Sequence, residues 1–423
     1  MKVLFICLDH YPYSGACTSL LDKMLHMGSL KEKLGEVHVL TTKKQYDDPD
    51  VENIAGITIH RCFFLSSYTK KNILQLLSTN PILAVRALIK KMPEFYERYI
   101  LKSDGVIKPD VKNVLTKKLK QLHAEAYDVI IPVCGYYETA SATMKYLERH
   151  SAKMVVYQVD PCATNRLFVD DPFNRAAKLE QMLCEKAAAI ITTPVLYRYL
   201  CETYPESIIA KSHAMEFPNV DPYPVDTPTK HDEEYRCVFA GSIYPFARDP
   251  KYTISVFSLL KNTAIKLHFI GAAKAELSPP AAIGTTKERF LFHGSLPLEQ
   301  ARKAIQSADV LVNIGNIMTN QVPSKIFEYI SACKPIINIC ANPDCPSIAY
   351  LEKYPLALSV VEGVGTPAEH AEKIEQFILK YAGQSVDKQI VTQQFKECTA
   401  DYCADVMYRV IKNVLEEGNV KHG

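Results

Sequence analysis

No stretch of the chain approaches the roughly 18–20 uninterrupted apolar residues that a membrane-spanning helix requires, which excludes a helical integral membrane protein. Low-complexity tracts are also missing, and 48% hydrophobic with 23% charged residues supplies enough apolar surface to offset the entropy of ordering, so disorder is expected only at the ends. CxxC spacing does not occur. The nearest cysteine pairs, Cys340 with Cys345 and Cys398 with Cys403, have four intervening residues, and neither is matched by a second pair at zinc-site spacing. The thirteen cysteines are odd in number and scattered among apolar neighbours, as at Cys237 and Cys333, which predicts reduced thiols used as small core residues and no metal. GxGxxG and the P-loop lysine are absent as well, so dinucleotide reduction and ATP hydrolysis lack their phosphate-binding loops.

What is present points to two α/β domains. A length of 423 residues exceeds one ordinary core and fits two domains of about 200 residues. The run Met1 to Leu8 has one lysine before a short apolar stretch, but Asp9-His10-Tyr11-Pro12-Tyr13 follows with no small-residue cleavage site; it reads as a first buried strand, and a cytoplasmic chain is expected. Short β-branched runs then alternate with helical patterns, the signature of βαβ units. The first-half strands are expected at Lys2 to Leu8, Glu36 to Leu40, Ile57 to Arg61, Asp128 to Val133, Met154 to Tyr157 and Ala189 to Thr192. Prolines and charges between Pro218 and Glu234 mark a linker, since such a segment continues neither a helix nor a central strand. The alternation restarts with Arg236 to Ala240, Lys266 to Ile270, Arg289 to Phe292, Val310 to Ile314, Pro335 to Ile339 and Leu356 to Val361. The tail from Val386 to Glu417 reads as one or two helices with Ile390, Phe395, Tyr402, Val406, Val410 and Val414 on the apolar face.

About 65 residues between the third and fourth strands break the alternation. From Lys70 to Lys120 there are twelve Lys or Arg against four Asp or Glu, in a chain whose net charge is only +2. Basic residues interleaved with Tyr, Phe, Leu and Ile suit a surface resting on anionic lipid, and they suit a solvated helix face equally well. Nucleic acid is not indicated, because no RNA-binding aromatic signature or DNA-reading motif accompanies the charge.

In open parallel sheets ligands bind beyond the carboxyl ends of the strands, where helix N-termini point into the crevice. After the first strand, Gly15 and the small residues following it permit close approach of a phosphate or sugar, or simply make a tight turn. After the first strand of the second half, Gly241 permits close backbone approach, and Arg248 is able to fork onto a diphosphate or to stand as an ordinary loop cation. The segment Gln321 to Ile337 is the most informative. Pro323 suits a first helical turn, which leaves Ser324 and Lys325 at a positive helix end; Glu328 lies one turn on, placed to accept two hydroxyl hydrogen bonds from a diol such as ribose. Lys325 and Glu328 also have the spacing of a surface ion pair.

Pro323-Ser324-Lys325-Ile326-Phe327-Glu328-Tyr329, with Cys333-Lys334-Pro335-Ile336-Ile337 behind it, resembles the donor-binding signature of GT-B glycosyltransferases, family 4-like members in particular. Phe217-Pro218-Asn219-Val220-Asp221, Gly241 with Arg248-Asp249-Pro250, and Phe292-His293-Gly294 support the match. The resemblance covers the second half well and the first half in outline. It implies an α/β chain of GT-B architecture, with two facing Rossmann-like doubly wound parallel-sheet domains and an interdomain cleft. The acceptor domain is expected at residues 1–217 with the basic insertion at about 65–125, the linker at 218–234, the donor domain at 235–385, and terminal helices at 386–423 that are able to pack back on the first domain.

The resemblance further implies that Glu328 holds the ribose, that Ser324 and Lys325 hold the diphosphate, and that Arg248 neutralises the departing phosphate. Gly15, Gly241 and His293 then complete the donor-binding set, with no cofactor and no metal beyond the nucleotide-sugar substrate. Asp160, at the end of a strand, either orients the acceptor hydroxyl or caps the segment after it; His10 and His293 either face the sugar or are plain loop histidines. Two positions depart from the family pattern: Asn320 stands where many members have a second Glu, and Ser242 where an Arg often follows the Gly. The implied activity is retaining transfer to a saccharide or lipid-linked acceptor, as in surface polysaccharide assembly. A nucleotide-sugar epimerase and a degenerate nucleotide-binding scaffold are the competing readings.

Overall fold

The computed structural model describes residues 1–10, 16–44, 47–63, 77–82, 84–85, 107–135, 137–164, 174–220, 234–243, 248–271 and 288–420. Gly15 and most of the basic insertion, including Arg86, Lys90 and Lys91, lie outside them, as do residues 221–233 of the expected linker. The chain divides into two compact units: Met1–Pro218 together with Ala400–Gly423, and Asn219–Thr399.

The first unit holds an eight-stranded sheet in the order β3-β4-β2-β1-β5-β6-β7-β8. Its strands are β1 (Lys2–Ile6), β2 (Glu36–Thr42), β3 (Val51–Ile54), β4 (Ile57–Cys62), β5 (Val129–Cys134), β6 (Lys153–Gln158), β7 (Ala189–Thr192) and β8 (Ser212–Ala214). The six strands expected from sequence are all present. All pairings are parallel except β3 with β4, a hairpin turned at Ala55 and Gly56, which both adopt positive φ as a two-residue turn of this kind demands. Parallel strands covered by helices on both faces must be apolar throughout, and every residue of β5 and β7 is buried. The order reverses between β1 and β5, which puts the topological switch point beyond their carboxyl ends.

The helix Ala400–Val420 completes this unit. It packs on the helices Ala16–His26 and Leu30–Leu34, and Lys153 Nζ donates to the carbonyls of Val414 and Leu415 at 2.7 and 3.2 Å, tying its last turns to the start of β6. At its start, the Ser29 amide donates to Asp401 Oδ1 at 3.0 Å, and Gly28 passes so close to the Ala400 carbonyl that a Cβ would sit 2.7 Å from it. The buried face overlaps only in part with the one read off the sequence. Phe395 and Val410 are buried as expected and Val406 and Val414 are half-buried, but Tyr402 and, in the preceding helix Lys388–Gln394, Ile390 are exposed, while Ala400, Cys403, Ala404, Met407 and Ile411 also point inward. Small residues let the helix lie close, and a reading weighted toward bulky apolar side chains is rotated off that stripe.

The second unit holds a six-stranded, all-parallel sheet in the order β11-β10-β9-β12-β13-β14. The strands are β9 (Tyr235–Ala240), β10 (Ile265–Ile270), β11 (Phe290–Gly294), β12 (Val310–Ile314), β13 (Ile336–Cys340) and β14 (Ala357–Val361), each where the sequence put one to within two residues. The switch point here falls between β9 and β12. Among the described residues no helix is long and apolar enough to cross a membrane.

Candidate functional site

In the second unit, chemistry-bearing side chains gather where β9 and β12 end. Gly241, one residue past β9, lies under the Arg248 side chain: a Cβ there would sit 3.2 Å from Nη1 and 3.3 Å from the Phe239 ring. The guanidinium is anchored on both sides of the switch point. Nη1 donates to the Ser242 carbonyl at 3.3 Å and Nη2 to Asn316 Oδ1 at 2.9 Å, with Asn316 two residues beyond β12. Asn316 in turn donates to the Gln321 carbonyl at 3.2 Å, at the start of the Gln321 to Glu328 segment. A planar fork held by two fixed acceptors is pre-aimed, so little reorganisation remains when it meets an anion.

That segment leads into the helix Lys325–Ser331. Ile326, Phe327, Tyr329 and Ile330 are fully buried, each contributing about 1.5–3 kcal/mol, so the helix is fixed by its apolar side while Ser324, Lys325 and Glu328 are left partly exposed on the other. Cys333 closes it in the left-handed conformation with φ 57°, the place usually taken by glycine. Tyr329 ties it to β9: the Ala240 amide donates to the Tyr329 hydroxyl at 2.7 Å. Asn219 braces both ends, donating from Nδ2 to the Ser324 carbonyl at 3.3 Å and accepting from Ser331 Oγ at 2.9 Å. Ser324 makes no capping hydrogen bond with its side chain, and Lys325 Nζ meets Glu328 Oε2 at 2.7 Å. The pair is about a quarter to a third exposed, so solvent holds its worth to a few tenths of a kcal/mol. An attraction of that size is readily exchanged for a ligand with a phosphate at one end and a diol at the other.

Gly241, Arg248, Ser324, Lys325 and Glu328 therefore belong to one chain of bonded neighbours, with Asn219, Asn316 and Tyr329 as supports that sequence reading did not assign. Among the described residues His293 makes no bond to this set; it is exposed at the end of the edge strand β11, where its ring stacks on His268 with Nε2 3.0 Å from His268 Nδ1. Gly271 has a stricter role. With φ +135°, it lies so near Gly241 that a Cβ would run into the Gly241 carbonyl, so β9 and β10 end side by side only without one.

In the first unit, the ends of β1, β5 and β6 make a second cluster. Asp160 Oδ2 accepts from Cys17 Sγ at 3.1 Å, and its carbonyl accepts from the Tyr137 hydroxyl at 2.6 Å. Burial, with Asp160 beside it, pushes the Cys17 thiol well up, which keeps it a protonated donor. The loop that carries Asp160 is held from below by Glu180, which is fully buried. Its Oε2 accepts from the Cys162 and Ala163 amides at 2.8 and 3.1 Å and from Gln158 Nε2 at 3.2 Å; its Oε1 accepts from the hydroxyls of Tyr199 and Tyr204 at 3.0 Å each. No local motif announces Glu180; it looks like any acidic residue on a helix. His10, buried four residues beyond β1, has Nδ1 2.5 Å from Asp22 Oδ1.

No protein-family model matches this sequence, and no curated protein matches it. Solved structures do. The chain is similar to the lipopolysaccharide outer core galactosyltransferase WaaB in its apo form, at 10% identity, TM-score 0.55, and coverage of 98% of this chain and 99% of that one. It is similar to an S. aureus TarM mutant solved with fondaparinux, alpha-GlcNAc-glycerol and UDP, at 10% identity and TM-score 0.59 over 98% of this chain and 100% of that one. Arabidopsis thaliana UGT89C1 complexed with UDP-L-rhamnose gives 11% identity and TM-score 0.52 over 98% and 99%. The fold is GT-B. Within this GT-B chain, the six-stranded unit carries Arg248, Ser324, Lys325 and Glu328, and the eight-stranded unit carries Asp160.

Proposed function

We propose that this chain is a glycosyltransferase that moves a sugar from a nucleotide-diphosphate sugar to a saccharide or lipid-linked acceptor, with retention and without a metal or further cofactor in the transfer step. The observation that carries the reading is the Arg248 guanidinium fastened across the β9/β12 switch point and linked through Asn316 to the segment bearing Ser324, Lys325 and Glu328. In a GT-B fold such a cation neutralises charge developing on the departing diphosphate, Ser324 and Lys325 grip the phosphates, and Glu328 accepts from the ribose hydroxyls. Gly241 admits the ligand to the backbone, and Asp160 receives or orients the acceptor hydroxyl. Gly15 and His293 complete the proposed donor set. That the similar structures include complexes with UDP and UDP-L-rhamnose supports a nucleotide-linked donor.

The test is a thermal-shift panel of UDP-, GDP-, ADP-, CMP- and dTDP-sugars, since a ligand that binds only the folded state raises its stability by mass action. One nucleotide class is expected to stabilise the wild type. Glu328→Ala should weaken that binding by about 1–3 kcal/mol through the lost diol hydrogen bonds. Unchanged affinity in the variant would remove Glu328 from the ribose.

The reading extends to a cytoplasmic enzyme of surface polysaccharide assembly that meets the inner membrane face through the basic insertion at 65–125. Reversing the charges of Arg86, Lys90 and Lys91 is expected to lower partitioning onto anionic vesicles, read by sedimentation, by about 100-fold or more, at about 1 kcal/mol per basic residue near the surface. Equal sedimentation of variant and wild type would make the insertion an ordinary solvated face.

A further inference from the structure

We infer that His10, Asp22 and His26 form a binding site for a divalent transition-metal ion of the zinc class, at the β1 end of the eight-stranded unit. Asp22 and His26 are four residues apart on the helix Ala16–His26 and so share a face, while His10 arrives from the segment leaving β1. One ligand atom from each of the three lies within 4.8 Å of the other two. Zinc with bonds of about 2.0–2.1 Å to nitrogen and oxygen holds tetrahedral ligand atoms about 3.3 Å apart, a spacing these side chains reach by small torsions.

The state of His10 is the second, independent observation. Its side chain is 1% exposed, and among the described residues neither ring nitrogen has a hydrogen-bond partner, although Nδ1 is 2.5 Å from Asp22 Oδ1. A buried imidazole whose nitrogens make no hydrogen bond costs about 1–3 kcal/mol, less whatever the Asp22 ion pair contributes. The imidazole nitrogen and the carboxylate oxygen face each other without a hydrogen bond, so opening them to the ligand spacing would let an ion take the place of their direct contact. The surroundings carry the right charge, since Asp9 and Asp22 both act on the buried Cys7 thiol and, after burial itself, push it up. Two imidazoles and one carboxylate suit zinc, and they leave a fourth position for water on the side of His26, which is exposed. Bound there, the ion would cross-link the segment leaving β1 to the helix after it. The Arg248 and Glu328 cluster belongs to the other unit, so this inference stands apart from the donor-site reading.

The experiment is a titration of the full, metal-stripped chain with Zn2+ by calorimetry and with Co2+ by absorption. One ion per chain is expected, with the visible bands of a tetrahedral nitrogen-and-oxygen site and no thiolate-to-cobalt charge-transfer band. His26→Ala, a change at an exposed position, should weaken binding by about 100-fold or more, beyond what loss of a mere supporting partner usually does, while leaving the far-UV circular dichroism of the metal-free protein unchanged. Asp22→Asn should do the same. Absence of binding, equal binding by wild type and His26→Ala, or a thiolate band assigning the ion to cysteines would each overturn the inference.

Discussion

Arg248→Ala is expected to slow glycosyl transfer by about 100- to 1,000-fold, the usual loss when one donor aimed at developing charge is removed, with little change in the KM for the donor. The split follows from where charge appears. On the proposed reading a ground-state diphosphate is gripped at Ser324 and Lys325, whereas the cation across the switch point would act most on the extra charge that accumulates as the sugar departs. Arg248→Lys should recover little, because an ammonium cannot keep both the Ser242 and Asn316 bonds that aim the guanidinium. Steady-state kinetics with the donor found in the thermal-shift panel decide the matter. A rise in KM at unchanged kcat would instead make Arg248 part of the ground-state grip.

Glu180→Ala is expected to destabilise the first unit by about 3–5 kcal/mol, because each main-chain amide stranded in the interior costs about 1–3 kcal/mol while the side-chain donors can turn to water. Five donors converge on that carboxylate, two of them main-chain amides that cannot turn away. Tyr199 and Tyr204 show the same burial from the other side: desolvation first, and the Glu180 charge next, push both phenols up, so they remain donors. Glu180→Gln should cost less, since it keeps one acceptor, but its amide group faces donors and cannot hold all five. The shift in denaturation midpoint measures both variants. A loss under about 1 kcal/mol in Glu180→Ala, the size of one ordinary hydrogen bond, would mean that water enters and takes over.

The strands were legible because burial on both faces leaves continuous apolar runs such as Val129–Cys134 and Val310–Ile314. Strands β3 and β8 were not: β3 alternates between exposed and half-buried residues at the sheet edge, and β8 is three residues long. In the candidate donor site the segment from Ser324 to Glu328 was readable, since adjacent residues on one helical turn imply a shared face. The supports were not, because Asn316, Asn219 and Tyr329 act across sequence separations that only the folded chain closes. Asn316 was within reach of a stricter rule, standing two residues past a strand at the switch point. Glu180 gives no such signal, and the first half of the inward stripe of Ala400–Val420 is built from alanine, cysteine and methionine, which periodicity weighs lightly.

The helix Ala400–Val420 also sets an order of events during synthesis. Its partners in the first unit are made first, yet a complete second unit of 181 residues, Asn219 to Thr399, is translated before it arrives. Domains generally fold as they emerge, N-terminal first, but here the first sheet leaves the ribosome with one flank bare, including the ground beside Gly28 and Ser29. A later-made segment seals a core made before it. A chain interrupted directly before Ala400 would thus carry a finished second unit and an unfinished first one, with Lys153 facing no helix carbonyls and the apolar faces of two helices left to water.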